Sequence, residues 1–157
     1  MKVLLLGIGN PGRQDDGLGP ALADEVEGWA VPGLTVDSDY QLTVEDSAVA
    51  AEHEVLIVAD AAAEGPEPFS FRVLKPTDHL EFSSHSVEPG GVVGLARHMF
   101  GKAPQAYVLA VRGYQFDHCL EPGLSEGARA NLAAALAFLE PLVHSGQFAQ
   151  AAASAGS

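Results

Sequence analysis

Three stretches of this chain are almost uninterruptedly apolar and only as long as a β-strand: "KVLLLGIG" (Lys2–Gly9), "EVLIVADAA" (Glu54–Ala62) and "QAYVLAVRGY" (Gln105–Tyr114). No other feature restricts the fold as strongly. A half-exposed strand alternates apolar and polar residues, so a strand without a polar face must be covered on both sides. Helical spacing fills the intervals. Leu18, Leu22, Val26 and Trp29 mark one helix, and Thr43 with Asp46 forms a capping-box pattern for a second, ending near His53. Ser86, Glu88 and Pro89 open a third, reaching about Met99, and Leu132, Leu136, Leu139 and Val143 line a last one that starts after Ser125. "GLTVDSDY" (Gly33–Tyr40) reads as a further strand, and "FSFRVLK" (Phe69–Lys75), held between two prolines, as a half-exposed edge strand. The expected architecture is one three-layer α/β domain over residues 1–144, with a twisted, mostly parallel sheet of about five strands flanked by helices. Residues 145–157, rich in alanine, glycine and serine, read as a tail of frayed helix or disorder.

Composition narrows the function by exclusion. The 157 residues suit one domain with a sizeable core, and the formal charge of −13 opposes nucleic-acid binding, which needs basic patches against phosphate. No apolar run reaches the ~20 residues of a membrane span. Cys119 is the only cysteine, so disulfides within the chain and thiolate-rich metal sites are excluded. Lys2 leads straight into the first apolar run without a basic region or cleavage site, so no signal peptide is expected and the expected location is cytoplasmic.

The polar residues of interest sit where the apolar runs end. "GIGNPGRQDDGLGP" (Gly7–Pro20) follows the first run and carries Asp15 and Asp16, and Asp60 ends the apolar part of "LIVADAA". His85 lies in the turn "SSHS" (Ser83–Ser86) before a helix. Parallel sheets bind ligands beyond the carboxyl ends of their strands. If the first and third strands are neighbours, two carboxylates and an imidazole meet at that edge as an incomplete set suited to zinc, nickel or iron. The plain alternatives are that one of the paired aspartates caps the helix that follows, that Asp60 merely caps or solvates a strand end, and that His85 is a structural or exposed histidine. His79 with Glu81 suggests a deaminase motif, but its P-C-x-x-C partner is impossible with one cysteine. Asp117–His118–Cys119 reads as an incidental loop trio, and His53, His98 and His144 fall on helices. Gly7, Gly9 and Gly12 have the spacing of a dinucleotide fingerprint. However, Pro11 removes a donor and the two aspartates would repel a pyrophosphate. "GIGNPG" also resembles the opening of peptidyl-tRNA hydrolases, but no histidine follows before His53.

A longer pattern covers most of the chain. G-x-G-N-x-x-x-x-D-D-G-x-G (Gly7–Gly19), "VADAA", "SSHSVEPGGVVGLAR" (Ser83–Arg97) and "YVLAVRGYQFDHCLEPGLSEGARANL" occur in that order. Together they resemble the nickel–iron hydrogenase maturation proteases. The resemblance implies an endopeptidase that removes a C-terminal extension from the hydrogenase large-subunit precursor once nickel has been inserted. It places the family's metal-contacting acids on Asp16 and Asp60 and its histidine on His85. The same residues are then the expected catalytic group, with Gly7, Gly9, Asn10 and Gly17 shaping the loop. The family also shows glutamate at the first acidic position, which has the same ligand chemistry. Nickel is expected to arrive with the substrate, with no permanent organic cofactor, and the protein is expected to act as a monomer. A metal-bound water or polarised carbonyl, with Asp16 or Asp60 as base, is the expected chemistry. The rival readings are a peptidyl-tRNA hydrolase-like esterase and a non-catalytic, metal-dependent maturation chaperone.

Overall fold

In the computed structural model, which describes residues 1–77, 88–116 and 122–155, the three apolar runs lie side by side. They form β1 (Val3–Ile8), β3 (Val55–Ala62) and β5 (Gln105–Arg112), joined by β2 (Leu34–Asp39) and β4 (Phe69–Val73). The sheet order is β2-β1-β3-β5-β4. β1 pairs parallel with both β2 and β3, in register Leu5↔Val36 and Leu5↔Ile57, and β3 pairs parallel with β5. β4 is antiparallel to β5 and forms one edge. Its direction follows from the chain: no helix separates β3 from β4, and a parallel return needs a crossover of a dozen residues or more.

Helices α1 (Leu18–Glu27), α2 (Val44–Ala51), α3 (Pro89–Phe100), α4 (Glu126–Ser145) and α5 (Phe148–Ala155) cover the sheet. Alternate residues of each central strand serve the two layers. Val3, Leu5, Val55, Ile57, Leu109 and Val111 join Leu18, Leu22 and Val26 of α1 and Ala135, Leu139 and Leu142 of α4 in one core. Leu4, Leu6, Leu56 and Val58 join Ala50 of α2 and Val92 and Val93 of α3 in the other. This two-sided burial is what the unbroken apolar runs require. α2 begins as its sequence suggests, with the Thr43 N–H donating to Asp46 Oδ2 at 2.7 Å. Among the described residues, no helix is long and apolar enough to cross a membrane.

Two expectations differ from the structure. Neither aspartate of the 15–16 pair caps α1. A 3-10 turn, Gln14–Gly17, precedes that helix, whose N-cap is Gly17 and receives no side-chain hydrogen bond. Residues 148–155, set apart above as tail, form α5, with Phe148 and Ala152 buried in the α1/α4 core. Phe148 is 1% exposed, and its ring centroid lies 5.9 Å from that of Tyr107. Alanine-rich composition masked one aromatic anchor, which is enough to seat a helix.

Gly19 fixes how closely α1 approaches the sheet. A Cβ there would run into the carbonyl oxygen of Ile8, and into the Ala59 carbonyl oxygen at 2.6 Å. Both obstacles are backbone atoms of β1 and β3, so they cannot swing away. Gly19→Ala is therefore expected to destabilise the fold by about 3 kcal/mol through overpacking, measured as a lowered urea midpoint at unchanged slope. A midpoint within error of wild type would show that α1 can shift outward freely.

Candidate functional site

Strand order reverses between β1 and β3: the chain goes from β1 to β2 on one side, and β3 and β5 lie on the other. At such a switch point the connections part and leave a crevice beyond the carboxyl ends. The loop carrying Asp15 and Asp16 leaves β1 at this place, and Asp60 lies in the last part of β3, one residue beyond the Gly7↔Ala59 pair.

The loop is built by its own backbone and polar atoms. Gly9 adopts φ +141°, and a Cβ on it would collide with the carbonyl oxygen of Asp16, so the loop folds back over a residue that must be glycine. Asn10 then organises the turn. Its side-chain Oδ1 accepts from the Gly12 N–H at 2.9 Å, and its carbonyl accepts from the Arg13 N–H at 3.0 Å. Gly17 passes the turn so closely that a Cβ would lie 2.9 Å from Pro11 Cα, and one on Gly7 would lie 2.8 Å from Ala23 Cβ. The Asn10 N–H donates to Asp16 Oδ2 at 2.8 Å. These bonds explain why a glycine-rich turn after a strand need not bind phosphate. Two N–H groups that a phosphate cradle would use, those of Asn10 and Gly12, are already bonded to the loop's own Asp16 and Asn10.

The two adjacent aspartates have separate tasks. Asp15 is fully buried. Its Oδ2 accepts from the N–H groups of Tyr114 and Gln115 at 2.7 and 2.9 Å and from Ser125 Oγ at 2.7 Å, and its Oδ1 accepts from the Ser125 N–H at 2.7 Å. Its own N–H donates to the Gln115 carbonyl at 2.9 Å. Burial pushes the carboxyl up, but the Ser125, Tyr114 and Gln115 donors outweigh it and hold Asp15 below the ordinary aspartate range. Ser125 in turn caps α4, its Oγ accepting from the Ala128 N–H at 3.2 Å. Asp15 thus ties the β1 loop to the β5–α4 connection, while its half-buried neighbour Asp16 accepts from the Asn10 N–H within the loop.

Asp60 is also half-buried. Desolvation, with a smaller push from the charge on Asp16, raises its carboxyl to about 6 against the bond from the Ala61 N–H to Oδ1 at 2.8 Å. Asp16 and Asp60 therefore sit within electrostatic reach of each other at the switch point. A desolvated carboxylate with a second one within electrostatic reach is what a cation would relieve, and their oxygen donors suit a hard or borderline metal.

His85, the third predicted ligand, lies outside the described residues, as do the Ser83–Ser86 turn, His79, Glu81 and the Asp117–His118–Cys119 trio. Among the described residues, no three His, Cys, Asp or Glu side chains cluster at metal-binding distances. His53 bonds the Val49 carbonyl through Nδ1 at 2.7 Å, and His98 and His144 lie on α3 and α4. Sequence reasoning missed the anchoring role of Asp15 and its partners Tyr114, Gln115 and Ser125. The visible signal was the paired carboxylate itself, which needs two different sets of partners.

No protein-family model matches the chain, and no curated protein matches it. Solved structures do. The hydrogenase maturating endopeptidase HybD from E. coli superposes with a TM-score of 0.66 at 19% identity, covering 94% of each chain. The hydrogenase 2 maturation peptidase from a Thaumarchaeota archaeon gives 0.63 at 22% identity, covering 92% of this chain and 99% of that one. The [NiFe] hydrogenase maturation protease HycI from Thermococcus kodakarensis KOD1 gives 0.67 at 18% identity, covering 91% and 90%. At these identities the likeness shows a shared fold over nearly the full length of both chains.

Proposed function

We propose that this chain is a nickel–iron hydrogenase maturation protease. In this reading it recognises nickel in the hydrogenase large-subunit precursor and removes the precursor's C-terminal extension. The observation that carries the reading is that the Asp16 loop leaves β1 and Asp60 lies near the end of β3 at one sheet edge, where strand order reverses. The shared fold with HybD and HycI supports it. So do the four sequence segments that resemble the family. Asp16, Asp60 and His85 are the proposed metal contacts, an oxygen, oxygen, nitrogen set that leaves coordination positions to the substrate. Such a set suits a metal already held by another protein, because it adds ligands without needing to strip the ion from its owner. The nickel then belongs to the substrate, and water or the scissile carbonyl is activated beside it, with Asp16 or Asp60 as base. The protease is proposed to work as a cytoplasmic monomer that meets its precursor transiently.

The test is to incubate the protein with nickel-loaded large-subunit precursor and read the precursor's C-terminus by mass spectrometry. Loss of the extension from the nickel-loaded form, and not from the nickel-free form, is expected. His85→Ala is expected to slow processing by at least about 100-fold while the melting temperature stays near wild type. A precursor that keeps its extension under conditions where an established maturation protease cuts it would overturn the reading.

A further inference from the structure

The six residues that connect β3 to β4, Ala63–Pro68, begin three residues beyond Asp60, and residues 63–67 are exposed. An exposed connection of this kind is usually held by little more than its ends. Here it is held along its length. The Gly113 N–H donates to the Ala62 carbonyl at 2.9 Å, and the Arg112 N–H donates to the Pro68 carbonyl at 3.1 Å. Between these ends, Arg112 Nη1 donates to the Gly65 carbonyl at 2.7 Å, while Nε donates to the Gly113 carbonyl at 3.3 Å. Tyr114 Oη donates to Glu67 Oε2. Asn131 of α4 donates through Nδ2 to Tyr114 Oη and to the Arg112 carbonyl, each at 2.9 Å. The guanidinium of Arg112 lies over the Tyr114 ring, 5.2 Å from its centroid.

These side chains are not needed to close the core. Arg112 and Tyr114 act on the exposed side of β5's end, and the groups they fix are a carbonyl and a carboxylate of a surface segment. The Tyr114 N–H is also one of the donors to Asp15, so a single residue holds the Asp16 loop by its backbone and the 63–68 segment by its hydroxyl. The segment is thereby kept in fixed relation to both proposed metal-contacting carboxylates.

We propose that Arg112 and Tyr114 are specificity-determining residues: they hold residues 63–67, the segment that follows Asp60 out of β3, as a preformed wall against which the peptide of the precursor docks. This rests on the protease reading above. A preformed wall spares the ordering cost of a loop when the substrate binds, so its loss appears in recognition and leaves bond cleavage intact. Glu64 and Glu67 line this wall, so it favours a precursor segment without acidic side chains at the docking point.

Tyr114→Phe removes only the hydroxyl links, and Arg112→Gln removes the guanidinium links. Cleavage of the nickel-loaded precursor is followed at varied precursor concentration, and amide hydrogen exchange is measured over residues 62–68. Both variants are expected to raise KM by about tenfold with kcat within about twofold, and to speed exchange in that segment. Wild-type protein that does not cut the precursor would overturn the protease reading itself. With active wild type, unchanged KM in Tyr114→Phe, or a fall confined to kcat, overturns the specificity role. Unchanged exchange in both variants overturns the claim that the network holds the segment.

Discussion

Asp15→Ala is expected to lower stability by about 3–5 kcal/mol, because it removes a fully buried carboxylate and leaves the N–H groups of Tyr114, Gln115 and Ser125 without their acceptor. A loss of that size is a large part of the 5–15 kcal/mol that holds a typical domain together. In a chain of this length it should shift the thermal midpoint by about 10 °C. Asp15→Asn should restore little. An amide offers one acceptor oxygen and turns an NH₂ group toward N–H donors, where a carboxylate accepted from both sides. The pH dependence carries the same signature. The folded pKa is depressed below the unfolded value of 3.8, so the Asp15 contribution is fully present above that value. It is lost as pH falls below 3.8 through the folded pKa. Differential scanning calorimetry of wild type and Asp15→Ala from pH 3 to 7 should show the gap between them narrowing only at the acid end. Equal midpoints at pH 7 would mean that the β1 loop and the β5–α4 connection do not depend on each other.

The Asp15 contacts also mark the limit of what sequence patterns can reveal. β1, β3 and β5 are legible because burial on both faces leaves no polar residue to interrupt them. The Thr43–Asp46 box and Ser125 are legible because a cap and its partners lie within three residues of each other. The switch-point position of Asp60 is nearly as plain, since a carboxylate directly after a buried run has few other places to go. The division of labour within Asp15–Asp16 was not legible. The donors that claim Asp15 lie 99 to 110 residues further along the chain, and no local pattern records contacts that the sheet creates. The network of Arg112, Tyr114 and Asn131 was hidden for the same reason, its contact with Gly65 spanning 47 residues. α5 was hidden by composition, because one buried phenylalanine among alanines is a weak signal in sequence and a firm anchor in the core.

Asp60→Asn should separate stability from function in the opposite direction. Its carboxyl is raised from 3.8 to about 6, so the folded protein binds more protons than the unfolded chain between those values. Stability therefore falls as pH rises through that window, and the cost of the charge is fully present above about 6. Removing the charge while keeping the shape is expected to stabilise the metal-free protein at pH 7.5 by about 1–3 kcal/mol. Below pH 4 the two proteins should melt alike. Processing of the nickel-loaded precursor, in contrast, is expected to drop by at least about 100-fold, as it should in Asp16→Asn. Asp16→Asn should leave stability nearer to wild type, since its amide oxygen can still accept from the Asn10 N–H, and it also relieves the charge that raises Asp60. The pairing of effects is the informative part. A carboxylate present for packing should weaken the fold when replaced, whereas one kept for a cation should strengthen the empty fold and abolish the reaction. If Asp60→Asn proved less stable than wild type and still cut the precursor, Asp60 would be a structural residue and the site would have to lie elsewhere on the sheet edge. If it proved more stable and inactive, the desolvated charge of Asp60 would be the feature that nickel on the precursor relieves.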